Sequence, residues 1–230
     1  MARPRLTVAL VGPDGAGKST ITARLRQATL PAPVKTIYMG VNLEASTLML
    51  PTTRLLLAAK RARGGRPDLV ASSLRDVDET PVAPAGRGAS VKSTARMAVW
   101  MTEEWLRQLV ALSHSLRGRI VIFDRHFFLD YYHADVESGR RGPAQRLHGW
   151  MLERVYPKPD LVIMLDAPAE VLHARKPEAT VAWLERRRQQ YLELAPVVPQ
   201  FVVVEVDRPL EAAVSEVVAV IESSWKAKSA

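Results

Sequence analysis

The chain has no cysteine among its 230 residues, which excludes disulfides and thiolate metal centres and fits a reducing, cytoplasmic setting. It also lacks a long hydrophobic run. The stretch LMLPTTRLLLAA is broken by Pro51 and Arg54, well short of the roughly eighteen uninterrupted apolar residues of a membrane span. Its N-terminus, MARPRLTVALVG, follows its basic residues with an apolar run of about six, against the seven or more of a signal-peptide core. That run reads as a strand. Acid is scarce relative to base: 24 Asp and Glu against 32 Lys and Arg give a formal net charge of +8. Such an excess favours anionic ligands, whether nucleotide phosphates, nucleic acid or acidic lipid. No internal repeat is visible, and the length suits one α/β domain over residues 1–230.

What is present is dominated by Leu6 to Thr20, LTVALVGPDGAGKST. A strand-like run enters Gly12-x-x-x-x-Gly17-Lys18-Ser19, and a helical stretch follows from Ser19. Glycines let the backbone aim N–H groups at phosphate oxygens, Lys18 supplies a point charge, and the Ser19 hydroxyl suits Mg²⁺. The pattern predicts a triphosphate site formed by Gly12, Asp14, Gly15, Ala16, Gly17, Lys18, Ser19 and Thr20. With such a loop present, nucleotide phosphates explain the positive charge with the fewest further assumptions, and no stable nucleic-acid partner is expected.

Further along, Lys35 to Met39 predicts a second strand, and Leu43 to Ala62 looks helical with Pro51 as a break. Residues 63–93 read as a long loop whose basic start, near Lys60 and Arg61, resembles a solvated charge run more than a dedicated site. Thr94 to Leu116 is a helix whose stripe of Trp100, Trp105, Leu109 and Leu112, among others, reads as core. Gly118 ends it. Arg119 to Phe123 is a near-continuously apolar strand of a parallel sheet, with Asp124 and Arg125 at the C-terminal edge where ligands bind. A helix over Gln145 to Val155, a strand over Asp160 to Leu165, a helix interrupted at Pro177, a strand over Phe201 to Val206 and a closing helix from Pro209 complete the chain. The cationic break, about 174–183, predicts a lid over phosphates. Arg186, Arg187 and Arg188 cannot share one direction, because consecutive helical residues are turned about 100° apart.

Four stretches, VGPDGAGKST, SLRGRIVIFDRH, PDLVIMLDAPAEVLHAR and LERRRQQYLELA with the closing helix, together resemble the thymidylate kinase group of P-loop nucleoside monophosphate kinases. The resemblance implies a three-layer α/β/α sandwich around a parallel five-stranded sheet with a helical lid, ATP as phosphoryl donor, Mg²⁺ as cofactor and a small-molecule acceptor. It is also compatible with a homodimer. Lys18, Asp124 and Arg125 would be catalytic, with Ser19 and Asp124 at the metal. Asp14 would reach the acceptor's sugar, and Arg175 would be a lid or adenine-side arginine.

The acceptor half departs from that group. Where members carry an Arg-Glu-Pro-Gly type segment, this chain has Tyr38 to Asn42, and residues 41–93 diverge. The helix position that holds acceptor-binding Asp-Arg-x-Gln in the group reads Thr102, Glu103, Glu104 and Trp105. Placing Glu103 where an arginine is expected exchanges attraction for repulsion, each about 4 kcal/mol at 4 Å and an effective dielectric of 20. Glu103, Trp105, Asp14 and Arg125 are therefore the acceptor-side candidates. Three readings stay open: transfer to a nucleoside monophosphate, transfer to another small-molecule hydroxyl, and a nucleotide-binding or ATP-hydrolysing regulator.

Overall fold

The computed structural model describes residues 4–40, 50, 58, 87–137 and 143–229. Apart from residues 50 and 58, the expected helix over Leu43 to Ala62 lies outside them, as does most of the expected loop over 63–93.

Three runs that are apolar at nearly every position form the middle of the sheet. They are β1 (Leu6–Val11), β3 (Ile120–Asp124) and β4 (Leu161–Asp166). Strands covered on both faces need this composition, because neither side meets water. The less buried runs β2 (Val34–Tyr38), with Lys35 and Thr36, and β5 (Phe201–Glu205) take the edges, giving the all-parallel order β2-β3-β1-β4-β5.

Alternation along each strand divides the interior into two layers. Val8, Leu10, Ile122 and Ile163 pack with Ile21 and Leu25 of α1 (Lys18–Leu25) and with Val217 and Ile221 of the last helix, Leu210–Ser229. Ala9, Val11, Phe123 and Met164 face the other way, onto Trp100 and Ala111 of α2 (Arg87–Leu116) and Phe127 and Phe128 of α3 (Phe127–Tyr132). Each fully buried Leu or Ile contributes about 1.5–3 kcal/mol. The expected α/β/α sandwich with five parallel strands is the observed fold. The remaining helices are α4 (Pro143–Arg154), α5 (Ala169–Arg175), α6 (Val181–Leu192) and α7, the last helix already named. A π-turn over His133–Glu137 extends α3.

Two expectations change. Helix α2 starts at Arg87, not Thr94. Gly88 and the absence of apolar periodicity conceal this turn in sequence, and a packed helix propagates backward through such residues at little cost. The second change concerns which face of α2 is buried. Leu109 and Leu112, expected in the core, are 57% and 49% exposed, whereas Glu103 and Arg107 are 0% and 1% exposed. The helix turns its charges inward and its leucines outward.

Candidate active site

Strand β1 delivers the chain to Gly12 with φ 141°, and Gly15 and Gly17 also lie at positive φ, 89° and 79°. Gly15 is required twice over, since a Cβ there would lie 2.4 Å from the Leu172 carbonyl oxygen. The loop ends at the start of α1, whose first turn has neither a side-chain cap nor an acidic residue. Its N–H groups are therefore available to an anion. Lys18 is folded back, its Nζ donating to the carbonyls of Gly12 and Pro13 at 2.6 Å each. Burial, reinforced by Arg125 and opposed by Asp14, Asp130 and Asp124, pulls its pKa down to about 7.

The end of β3 meets this loop. Arg125 holds φ 66°, a left-handed conformation that costs a non-glycine residue roughly 1–2 kcal/mol. Its N–H donates to the Leu10 carbonyl and its Nη2 donates to Asp14 Oδ1 at 2.8 Å. Burial alone would raise the Asp14 pKa, but Arg125 and then Lys18 hold it down at about 2. Burial opposes the Arg125 charge, yet Asp14 and Asp130 leave its pKa raised. The next residue, His126, caps α3 by accepting the Phe128 N–H on Nδ1. Burial pushes the His126 pKa down to about 3, so the ring is neutral.

Ser19 Oγ lies 3.5 Å from Asp124 Oδ2, while Asp124 Oδ1 is buried with no hydrogen-bond partner. A carboxylate with one oxygen beside a hydroxyl and the other unsatisfied, at a phosphate loop, is a hard-oxygen donor set that fits Mg²⁺.

On the acceptor side, Gly40 packs tightly on Arg125, a Cβ there falling 2.9 Å from Arg125 Cδ. The Gly40 carbonyl accepts from Arg107 Nη1 at 3.0 Å. Arg107, one helical turn beyond Glu103, was not among the residues singled out by sequence. Its Nε and Nη2 have no partner, and burial acts against its charge. Glu103 accepts the Leu50 N–H on Oε1, leaving Oε2 unpartnered. Glu104 is held by Tyr156 Oη at 2.9 Å and His148 Nε2 at 3.1 Å, and His148 Nδ1 meets Asp135 at 2.7 Å. Burial would lower the His148 pKa, but the two carboxylates raise it to about 9. Trp100, Glu103, Glu104, Arg107, Phe127 and Tyr131 line a narrow cleft at Gly40. Trp105 is not in its lining and instead stacks on Tyr156, ring centroids 5.1 Å apart. The tryptophan that lines the cleft is Trp100.

The structure brings Gly12, Asp14, Gly15, Lys18, Ser19, Asp124 and Arg125 into one site, with Glu103 one layer away through Arg107 and Gly40. Ala16 is buried beneath the loop, and Thr20 is exposed on α1. Arg175 donates to the Val206 carbonyl at 2.9 Å, placing it beside the end of β5. Within α6, Arg186 is exposed, Arg187 pairs with Asp130 at 2.9 Å and lies over Tyr191, and Arg188 grips both oxygens of Asp166 at 2.7 Å. Two of the three arginines of α6 are thus engaged by carboxylates, Arg188 at the end of β4. Asp130, with a second oxygen unpartnered, links Arg187 to the neighbourhood of Arg125. Its role is not visible locally in FFLDYY, because its partners lie more than fifty residues away.

No family model matches the chain. A probable thymidylate kinase of Archaeoglobus fulgidus is 34% identical over 113 residues, 46% of this chain and 55% of that protein. The chain thus spans about half the length of the curated relative it matches. A deoxyadenosine kinase from M. mycoides, solved with dCMP and dCDP bound, superposes with a TM-score of 0.51 over 95% of this chain and all of that one, at 15% identity. The curated match bears the name of the group that the sequence motifs resemble, and the structural match shows a kinase with this fold. No helix among the described residues is long and apolar enough to cross a membrane.

Proposed function

We propose that the chain is an ATP-dependent phosphotransferase of the thymidylate kinase type, moving the γ-phosphoryl group of ATP onto the phosphate of a nucleoside monophosphate. The observation that carries the acceptor assignment is Arg107. Its unpartnered Nε and Nη2 form the side of a guanidinium that binds phosphate oxygens in pairs, and only Gly40 separates it from Arg125. The repulsion expected from Glu103 is therefore met by a cation one turn away. The names of both similar proteins, a thymidylate kinase and a deoxyadenosine kinase, support the reaction class.

In this reading the loop amides and Lys18 hold the donor phosphates, and Arg125, fixed by Asp14, lies between donor and acceptor. An acceptor phosphate oxygen attacks the γ-phosphorus in line, a new P–O bond forms, the β–γ bridging bond breaks, and ADP leaves. Mg²⁺ held by Ser19 and Asp124 would neutralise phosphate charge. By the resemblance, Asp14 would also reach the acceptor's sugar, and Arg175 would be a lid or adenine-side arginine.

A second reading keeps the donor site and takes a hydroxyl as acceptor. It is favoured by the unpartnered Glu103 Oε2, which can accept a hydrogen bond from a hydroxyl. An ADP-release assay across nucleoside monophosphates, nucleosides and sugars separates the two. Turnover with a monophosphate, lost in Lys18→Ala and reduced at least tenfold in Arg107→Lys, is the expected result. Turnover with nucleosides or sugars alone selects the second reading, and ADP release without an acceptor selects a hydrolysing regulator. An active Lys18→Ala protein removes the assignment of the loop.

A further inference from the structure

Trp100, Glu103 and Arg107 follow one another on α2 at steps of three and four, so they share one face of the helix, and that face lines the cleft at Gly40. Arg107 Nη1 donates to the Gly40 carbonyl at 3.0 Å, and Gly40 packs on Arg125 of the phosphate site. At 1.5 Å of rise per residue, Glu103 lies about 6 Å and Trp100 about 10 Å from Arg107 along the helix axis. Of the two carboxylates in the lining, Glu104 has an oxygen shared by Tyr156 Oη and His148 Nε2. Glu103 is held differently. The Leu50 N–H donates to its Oε1 at 2.8 Å, which fixes the carboxylate, while Oε2 is buried and unpartnered. Among the described residues lining the cleft, the buried side-chain atoms left without a partner are Glu103 Oε2 and Arg107 Nε and Nη2. One acceptor and two donors, on adjacent turns of one helix, thus stand open to a ligand.

We infer that Glu103 recognises the 2′-hydroxyl of the acceptor's sugar, so that the acceptor is a ribonucleoside monophosphate and not its 2′-deoxy counterpart. The inference rests on the reading of Arg107 as the contact for the acceptor phosphate. With the phosphate there, the rest of the acceptor lies along the same helix face in the order of its bonds: sugar at Glu103, base at Trp100 beside the rings of Phe127 and Tyr131. An ionised carboxylate only accepts hydrogen bonds, so the group that meets Oε2 is a donor. The donors of a sugar are its hydroxyls. On ribose the 2′-hydroxyl is borne by the carbon next to the one that carries the base, and the 3′-hydroxyl by the carbon next to the one that leads to the phosphate. Glu103 is three residues from Trp100 and four from Arg107, on the base side of the midpoint, which selects the 2′-hydroxyl. A 2′-deoxyribose puts a C–H group in that place and leaves Oε2 desolvated without a donor. A site built around a hydroxyl rejects the analogue lacking it far more strongly than an apolar pocket rejects an added methylene. An amino group of the base is the competing donor, and it would have to reach within one helical turn of the phosphate contact with the sugar turned aside.

Steady-state kcat/KM of the wild-type chain, with ATP and Mg²⁺ in excess, tests it on matched acceptors: AMP, CMP and UMP against their 2′-deoxy counterparts, and 3′-deoxyadenosine monophosphate beside them. The ribonucleotides should be preferred roughly 100-fold or more whichever base they carry. The 3′-deoxy compound, which keeps the 2′-hydroxyl, should lose less than the 2′-deoxy one. Glu103→Ala should bring the ribose-to-deoxyribose ratio close to one through loss on the ribonucleotides alone. Glu103→Gln, which keeps an acceptor oxygen in the same shape, should retain part of the ratio, a result that damage to the fold would not give. The wild-type comparison needs no variant to fold. Equal or inverted preference in the wild type, a preference that follows the amino group of the base instead of the sugar, a larger loss from the 3′-deoxy compound, or a ratio unchanged by Glu103→Ala would each overturn the inference while leaving the monophosphate reading in place. Turnover with no monophosphate at all would remove the reading of Arg107, and the inference with it.

Discussion

Nucleotide binding should be coupled to proton uptake by Lys18. Without ligand the Lys18 ammonium is buried against two carbonyls and close to Arg125, which brings its pKa to about 7. An exposed lysine titrates near 10.4. A triphosphate in the loop places several negative charges beside Nζ and restores the charged form. The ligand-free residue is about 90% neutral at pH 8, one unit above its pKa, so binding there takes up close to one proton. Above pH 7 the association constant should fall about tenfold per pH unit, or 1.36 kcal/mol, until the pKa of the bound state is reached.

Calorimetry in buffers of differing ionisation enthalpy reads the proton count directly. At pH 8 to 9 phosphate protons are already lost, so a positive slope of 0.8 to 1 proton in the wild type, absent in Lys18→Met, is expected from this pKa. Zero slope in the wild type, or an equal slope in Lys18→Met, would refute the argument. Either result would mean that Lys18 is already charged before the nucleotide arrives.

Two further perturbations follow from packing and charge. Gly15→Ala places a Cβ 2.4 Å from the Leu172 carbonyl oxygen at φ 89°. Overpacking and left-handed strain together should cost about 2–5 kcal/mol, seen as a Tm lowered by roughly 5–15 °C in a circular-dichroism melt, and an unchanged Tm would contradict the geometry. His148 has a folded pKa near 9 against about 6.5 unfolded. Its stabilisation is complete below pH 6.5 and is lost as pH rises through 9, a decline on the order of 3 kcal/mol in urea unfolding that His148→Gln should flatten.

Local pattern made the donor half legible. A strand, a glycine loop and a helix follow one another without a break in sequence, and Asp124 and Arg125 stand where a buried apolar run stops. The acceptor half depends on facing, which a single sequence encodes weakly. Trp100, Glu103, Glu104, Arg107 and Ala111 share one face at steps of three and four, yet the leucine stripe about 160° away has the same period and is more apolar. Hydrophobicity favours the leucine face for the core, and the structure buries the charged one. The partners that permit this, His148, Asp135, Tyr156 and the Gly40 carbonyl, come from other elements. So do Asp130 and Asp166, which hold Arg187 and Arg188. No spacing rule within α6 reveals them.

This inversion has an energetic consequence. Burying an ion network rarely stabilises a fold relative to well-packed apolar residues, because desolvation offsets the attraction. In α2 the arrangement leaves Glu103 Oε2 and two Arg107 nitrogens unsatisfied, each costing about 1–3 kcal/mol. A helix selected for stability alone would rotate Leu109 and Leu112 inward and remove both penalties. An acceptor that pairs with Glu103 and Arg107 would satisfy those atoms, so on this argument the orientation of α2 is set by the site it lines and not by the stability of the fold alone.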